Sequence, residues 1–189
     1  VLERDGATGV SHRKSAAEAG VMPASIAYYV DSIDDLLVAT LLESVDNMAA
    51  DIERLRISTR DGGRSWARAL AELLADMLST HRGRTFAEYE LYLLAGRRPA
   101  LRPAARKWID VASRYIDGGR FGGDGSNGDD SGADPGVVRA LFAAIDGLMV
   151  HGLIADEPPT ADELEPALDY LLKPVAYLRR TGALPPSGP

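Results

Sequence analysis

The residues able to do chemistry in this chain are few, and they suit contact better than catalysis. Arg13 and Lys14 supply adjacent positive charge, and ten residues on, Ala24 and Ser25 supply a methyl and a hydroxyl. Such a set suits a duplex: cations meet phosphates, and a methyl or hydroxyl meets phosphate or base edges, Ala24 through a thymine methyl. Catalysis has no comparable set. The three histidines are scattered, and no His-Glu-x-x-His pair, phosphate-cradling glycine loop or nucleophile elbow is present. The absence of cysteine rules out thiolate metal sites, cysteine nucleophiles and disulfides. Paired acids such as Asp34-Asp35 stand at a helix start, where the positive end of the helix explains them. No enzyme activity, cofactor or metal is therefore expected.

The elements that must position these residues lie between Ser11 and Leu37. Ser11 is placed to accept a backbone N–H as the cap of a short helix over His12 to Ala19, with Ala16 and Ala19 on one side. Gly20 falls where a left-handed residue ends a helix. Val21-Met22-Pro23 makes a turn, with Pro23 at the first position of a second helix, Ala24 to Val30. Asp31 or Ser32 caps a third helix that starts at Ile33-Asp34-Asp35. Two helices this short bury too little to stand alone. Laying the second in a DNA major groove is a common reason to build them.

Gly6, Ser11-His12-Arg13-Lys14, Ala16-Ala17-Glu18-Ala19-Gly20-Val21, Ser25-Ile26-Ala27-Tyr28-Tyr29, Asp31-Ser32 and Asp34-Asp35-Leu36-Leu37 together resemble the head of tetracycline-repressor-like (TetR family) transcriptional regulators. The match covers about the first fifth of the chain. It departs at Val30, usually aromatic, at Ser15, usually aliphatic, and at Ile33, where a common lysine and its phosphate contact are lost. Val1 to Asp5 resembles only the tail of a family first helix, so earlier residues are expected to be missing. The resemblance implies that Tyr28, Tyr29 or both touch phosphate or base edges. Adjacent on one helix, they point about 100° apart, and one packing inward in place of an aromatic at Val30 is the alternative. Arg13 and Lys14 should position the head on the backbone; His12 either joins them or is plain surface.

The net charge is −7, and residues 1–45 hold three basic residues against seven acidic ones. A nucleic-acid binder usually carries a basic footprint; Arg13-Lys14 supplies local charge, and binding should lean on the dimer and on the missing N-terminal residues more than on this visible charge. Arginine far outnumbers lysine and alanine and glycine abound, a bias of GC-rich bacterial genomes. A helical, cytoplasmic protein is expected. Its periodicity predicts helices over Ile33–Leu55, from Ser65 to His81, Thr85–Ala95, Pro103–Ile116 with Trp108, Ile109 and Ala112 inward, and Val137–Ala155. Arg139, Asp146 and His151 make the last a poor membrane span. A helix buried all round, or one at a subunit interface, fits it better. Its Ala143, Ala144, Gly147 and Gly152 would permit close helix approach. Thr160 and Glu163 form a capping box for a final helix that Pro166 and Pro174 should bend or break. The tail Leu184–Pro189 should fray. Asp117–Gly136, mostly glycine, aspartate and serine, reads as a mobile loop. Its acids offer a calcium site as the alternative, without an EF-hand's spacing.

The expected fold class is all-α: a helix-turn-helix head at 1–32 and a helical effector-binding and dimerisation domain at 33–182. The resemblance implies an apolar effector pocket, for which Trp66, Met77, His81, Phe86, Tyr89, Trp108, Phe142 and Met149 are candidates. Tyr92 joins this aromatic set, and Glu90 and Asp146 stand beside His81 for polar recognition. It also implies a homodimer through the last two helices, with Ile145, Leu148, Leu164, Leu168, Leu171 and Val175 as candidates. The function implied is a repressor released from a palindromic double-stranded DNA operator by a small-molecule effector, with the Ile33 helix as lever. The alternative is a helical small-molecule binding or sequestering protein with a weakened head.

Overall fold

Every element is helical, as the periodicity requires, and no strand occurs among the described residues. The computed structural model describes residues 1–62, 65–118 and 135–180, with side chains except at 27, 60–62, 114–118, 135 and 174–180. The expected loop, apart from its helical ends, and the expected fraying tail lie outside the described residues, as does the side chain of Val175. The helices are α1 (Leu2–Gly9), α2 (His12–Glu18), α3 (Pro23–Tyr29), α4 (Ile33–Gly62), α5 (Trp66–Leu78), α6 (Arg82–Leu94), α7 (Arg102–Gly118), α8 (Pro135–Ile154) and α9 (Ala161–Arg180), with a 3-10 turn at Pro99–Leu101.

Packing sorts them into two compact units, Val1–Met48 with His81–Ile109, and Ala49–Thr80 with Asp110–Pro189. In the first, α1 lies on α6 and α2 on α3. Leu37, Leu41 and Val45 of α4 recur every fourth residue and are fully buried, as are Leu91 of α6 and Leu101. Each such side chain contributes about 1.5–3 kcal/mol on leaving water. Two ion pairs join α4 to later segments of this unit, Asp34 to Arg98 at 2.6 Å and Asp46 to Lys107 at 3.3 Å.

In the second unit α9 packs along α5, and α8 meets both. Ala67, Leu70, Ala71, Leu74 and Leu78 form the buried stripe of α5; Leu164, Leu168 and Leu172 form that of α9. Arg68 fastens the pair at one end, 2.5 Å from Asp162 and 3.2 Å from Glu165 of α9, and is steadied by Glu72 of its own helix at 2.9 Å. Asp162 first, then Glu72 and Glu165, hold its guanidinium charged and raise its pKa. Gly152 lets α8 approach α5, since a Cβ there would stand 2.5 Å from a methyl of Leu78.

Several boundaries differ from the sequence reading. α4 continues about two turns past Leu55, to Gly62, and Asp51–Arg54 and Glu53–Arg56 pairs lie along the surface leading into this extension. α6 begins near His81, whose carbonyl accepts the Thr85 N–H at 2.9 Å. α9 remains one helix through Pro166 and Pro174. A proline removes one backbone bond, and the Leu164–Leu172 stripe packed toward α5 outweighs that loss. The capping box forms as expected: Glu163 accepts the Thr160 N–H at 2.8 Å and returns its own N–H to Thr160 Oγ1 at 3.4 Å. Ile109 is exposed rather than inward, while Trp108 and Ala112 are buried.

Candidate functional site

Ser11 Oγ accepts the Lys14 backbone N–H at 3.2 Å and starts α2. Its end is a Schellman turn, with Gly20 N–H on the Ala17 carbonyl and Val21 N–H on the Ala16 carbonyl at 3.0 Å. Gly20 has φ +65 with open space where a Cβ would stand. Backbone conformation, not crowding, therefore calls for glycine there. Pro23 opens α3. Ser32, the nearer of the two expected caps, accepts the Asp35 N–H at 3.1 Å and donates its hydroxyl to the Asp35 carboxylate at 2.7 Å.

α3 keeps little for the core. Pro23, Ala24, Ser25, Tyr28 and Tyr29 are exposed, and Ile26 is half-buried. Tyr28 and Tyr29 are 81% and 83% exposed, with rings edge to face and centroids 5.1 Å apart. Neither turns inward in place of the missing aromatic; half-buried Ile26 and Val30 line the inner side. Met22, which sequence reasoning passed over, is 73% exposed in the turn. Two phenols, a hydroxyl, a methyl and a thioether thus stand free to meet an outside surface.

The charge beside them is partly spoken for. Arg13 is exposed with no ion-pair partner among the described residues. Lys14 Nζ lies 2.9 Å from one carboxylate oxygen of Asp5, and Arg4 Nε lies 3.0 Å from the other. These bonds, Lys14 first, hold the Asp5 carboxyl down at about 2. His12 is half-buried, and its Nε2 is buried without a partner among the described residues.

Glu90 has a different role from the recognition group expected of it. α1 is broken at Gly6 (φ 68, ψ 178), and the Ala7 N–H beyond the break donates to Glu90 at 2.9 Å. Both carboxylate oxygens lie 3.2 Å from where a Gly6 Cβ would be. Gly6 was the signal in the sequence, but its partner 84 positions later was not readable.

The candidate effector residues divide between the units. His81, Phe86, Tyr89 and Trp108 belong to the first, Trp66, Met77, Phe142 and Met149 to the second. Trp108 and Met149 are buried, whereas His81 and Phe86 are exposed. Within the first unit Tyr92 and Trp108 stack with centroids 6.4 Å apart and planes tilted by 37°. Of the candidate interface residues, Leu164 and Leu168 are 4% and 0% exposed within the single chain. They belong to its own core and have no free area to offer. Ile145, Leu148 and Leu171 are half-buried. The apolar surface of this unit lies elsewhere: Ala143, Gly147, Val150 and Ile154 follow one face of α8, and Tyr170 projects from α9. No group of His, Asp or Glu among the described residues is arranged to hold a metal.

A profile of the tetracyclin repressor-like C-terminal domain matches residues 62–174. The crystal structure of the multidrug binding protein EbrR complexed with ethidium is similar at 32% identity and a TM-score of 0.71, over 91% of this chain and 92% of that one. Further EbrR structures hold proflavin and malachite green. SCO1917 from Streptomyces coelicolor A3, a member of the TetR family, is also 32% identical, with a TM-score of 0.70 over 91% of each chain. The regulator FadR from Bacillus subtilis, complexed with stearoyl-CoA, shares the fold at 17% identity and a TM-score of 0.52, over 93% of this chain and 92% of that one. No curated protein sequence matches the chain.

Proposed function

The chain belongs to the TetR family of transcriptional regulators, and from that premise we propose that it is a cytoplasmic homodimeric repressor, released from a palindromic operator by a small apolar effector. The observation that carries the DNA-reading part is α3. A seven-residue helix whose described side chains are exposed except Ile26 has its main use outside the chain. Ala24, Ser25, Tyr28 and Tyr29 would meet the major groove, and Arg13 and Lys14 the backbone. Selection of genomic fragments with the protein tests this directly. An enriched palindrome is expected; no enrichment at low salt removes the reading.

A dimer is supported by the uncovered face of α8. Its stretch Gly136–Ile154 is long and apolar enough to cross a membrane, yet less than a third of it is buried within the chain, and Gly147 has nothing within 4 Å of a Cβ position. A second copy covering this face and Tyr170 would set two heads at a fixed spacing, as palindromic half-sites require.

Among largely apolar effectors, the class to test first follows three molecules that EbrR structures hold, ethidium, proflavin and malachite green, whose aromatic bodies also carry charge. A dye that enters beside the stacked pair of Tyr92 and buried Trp108 would meet ring faces that attract its charge. Titration with proflavin should quench tryptophan emission and raise the melting temperature, and Trp108→Ala should weaken both responses. An unchanged melting temperature across the dyes would remove this class. The pairing of Lys14 with Asp5 favours a second reading, a sequestering protein with a weakened head. Dye binding with no palindrome selected would establish it.

A further inference from the structure

The first 45 residues hold only three cations, Arg4, Arg13 and Lys14. Two of them face acids of the same head. Asp5 takes Lys14 on one carboxylate oxygen at 2.9 Å and Arg4 on the other at 3.0 Å, while Arg4 also reaches Glu18 at 3.4 Å. These four residues tie α1 to α2. Asp5 is held firmly for a surface acid: its side chain is only 23% exposed, and each carboxylate oxygen is taken by a different cation. The ammonium of Lys14 therefore meets a pre-placed carboxylate, with less ordering cost than two free surface chains would have.

We propose that Asp5 is a specificity-determining residue, which keeps Lys14 off the phosphates of non-specific DNA and yields it only where a matching operator seats the head. The proposal rests on the DNA-reading function above. Non-specific binding is almost wholly electrostatic, so each phosphate contact withheld weakens it and flattens its salt dependence. An exposed ion pair holds by only a small margin, so a well-placed phosphate can displace it. Withholding one of the three cations among residues 1–45 lowers non-specific attraction. Of those three, Arg13 stays free to meet any duplex.

The test is binding of the whole chain and its variants to two duplexes over a salt series. One is a mixed-sequence duplex without a palindrome; the other is the palindrome that genomic selection returns. Asp5→Asn should bind the mixed duplex about two- to fivefold tighter at low salt, with a log–log salt slope steeper by about 0.9. Its slope on the palindrome should stay unchanged. Lys14→Gln should leave the mixed-sequence slope as it is and flatten the palindrome slope by about 0.9. That variant keeps the proposal testable if Asp5→Asn fails to fold. An unchanged or flatter mixed-sequence slope for Asp5→Asn, or equal slope loss on both duplexes for Lys14→Gln, overturns the proposal. A chain that selects no palindrome fails the DNA-reading function itself, a separate result.

Discussion

The carboxylate of Glu90 accepts the backbone N–H of Ala7 at 2.9 Å, across a break in α1 that Gly6 makes possible. The bond joins α6 to α1, which in turn is tied to α2 by ion pairs. A side-chain cap from a distant helix thus does what a local Ser or Asp does at other helix starts. Beside it, Glu3 of α1 stands 3.6 Å from a Cβ position at Gly83 of α6, so each helix offers a glycine to the other's glutamate.

Gly6→Ala should therefore destabilise the chain on two grounds, a left-handed φ and contact with both Glu90 oxygens. About 1–3 kcal/mol is expected. Glu90→Ala should lose a comparable amount, and Glu90→Gln, which keeps an accepting oxygen, distinctly less. Chemical denaturation measures all three. Equal losses for Ala and Gln would show that the acceptor bond is not what matters.

Tyr28→Ala and Tyr29→Ala should leave the melting temperature almost unchanged, because both rings face solvent. At least one of them should weaken operator binding by about 1–3 kcal/mol. If both variants bind as tightly as the unaltered chain, the exposed pair does not read DNA.

Asp5 predicts a pH dependence of known sign. Its folded value is lowered, from 3.8 to about 2, chiefly by Lys14 and then Arg4. A depressed carboxyl adds stability that is fully present above 3.8 and disappears as the pH falls through about 2. The melting temperature of the unaltered chain should fall faster over that window than that of Asp5→Asn. Parallel curves would mean that the ion pairs add nothing to folding.

Two substitutions separate interface from core. Ile154→Arg, on the open face of α8, should leave the helical content intact and convert dimer to monomer in light scattering. Leu168→Ala, fully buried within one chain, should cost about 2–5 kcal/mol of folding stability. A dimer unaffected by Ile154→Arg would place the subunit contact elsewhere.

The head was the most legible part of the sequence because its signals are local. Ser11, Gly20, Pro23 and Ser32 act on backbone groups within five residues, so residue type and spacing suffice to place them. The α9 stripe was legible as apolar, but its destination was not. Leu164 and Leu168 were candidates for a second chain, yet they fill this chain's own core. An amphipathic stripe reports that a face is covered and carries no label for what covers it. On α8, apolar nearly all round, periodicity cannot divide the covered face from the open one. Only the packing of Gly152 against Leu78 does so.

The sequence by itself determined the all-α class, the helix-turn-helix and the family, since caps, turns and 3.6-residue periodicity are short-range properties of the chain. The tertiary structure decided what each charge does. Glu90 holds α1, Lys14 is held by Asp5, and Arg13 is exposed with no ion-pair partner among the described residues. Those assignments depend on distances between residues up to 83 positions apart, and a charge's role is set by its neighbours in space.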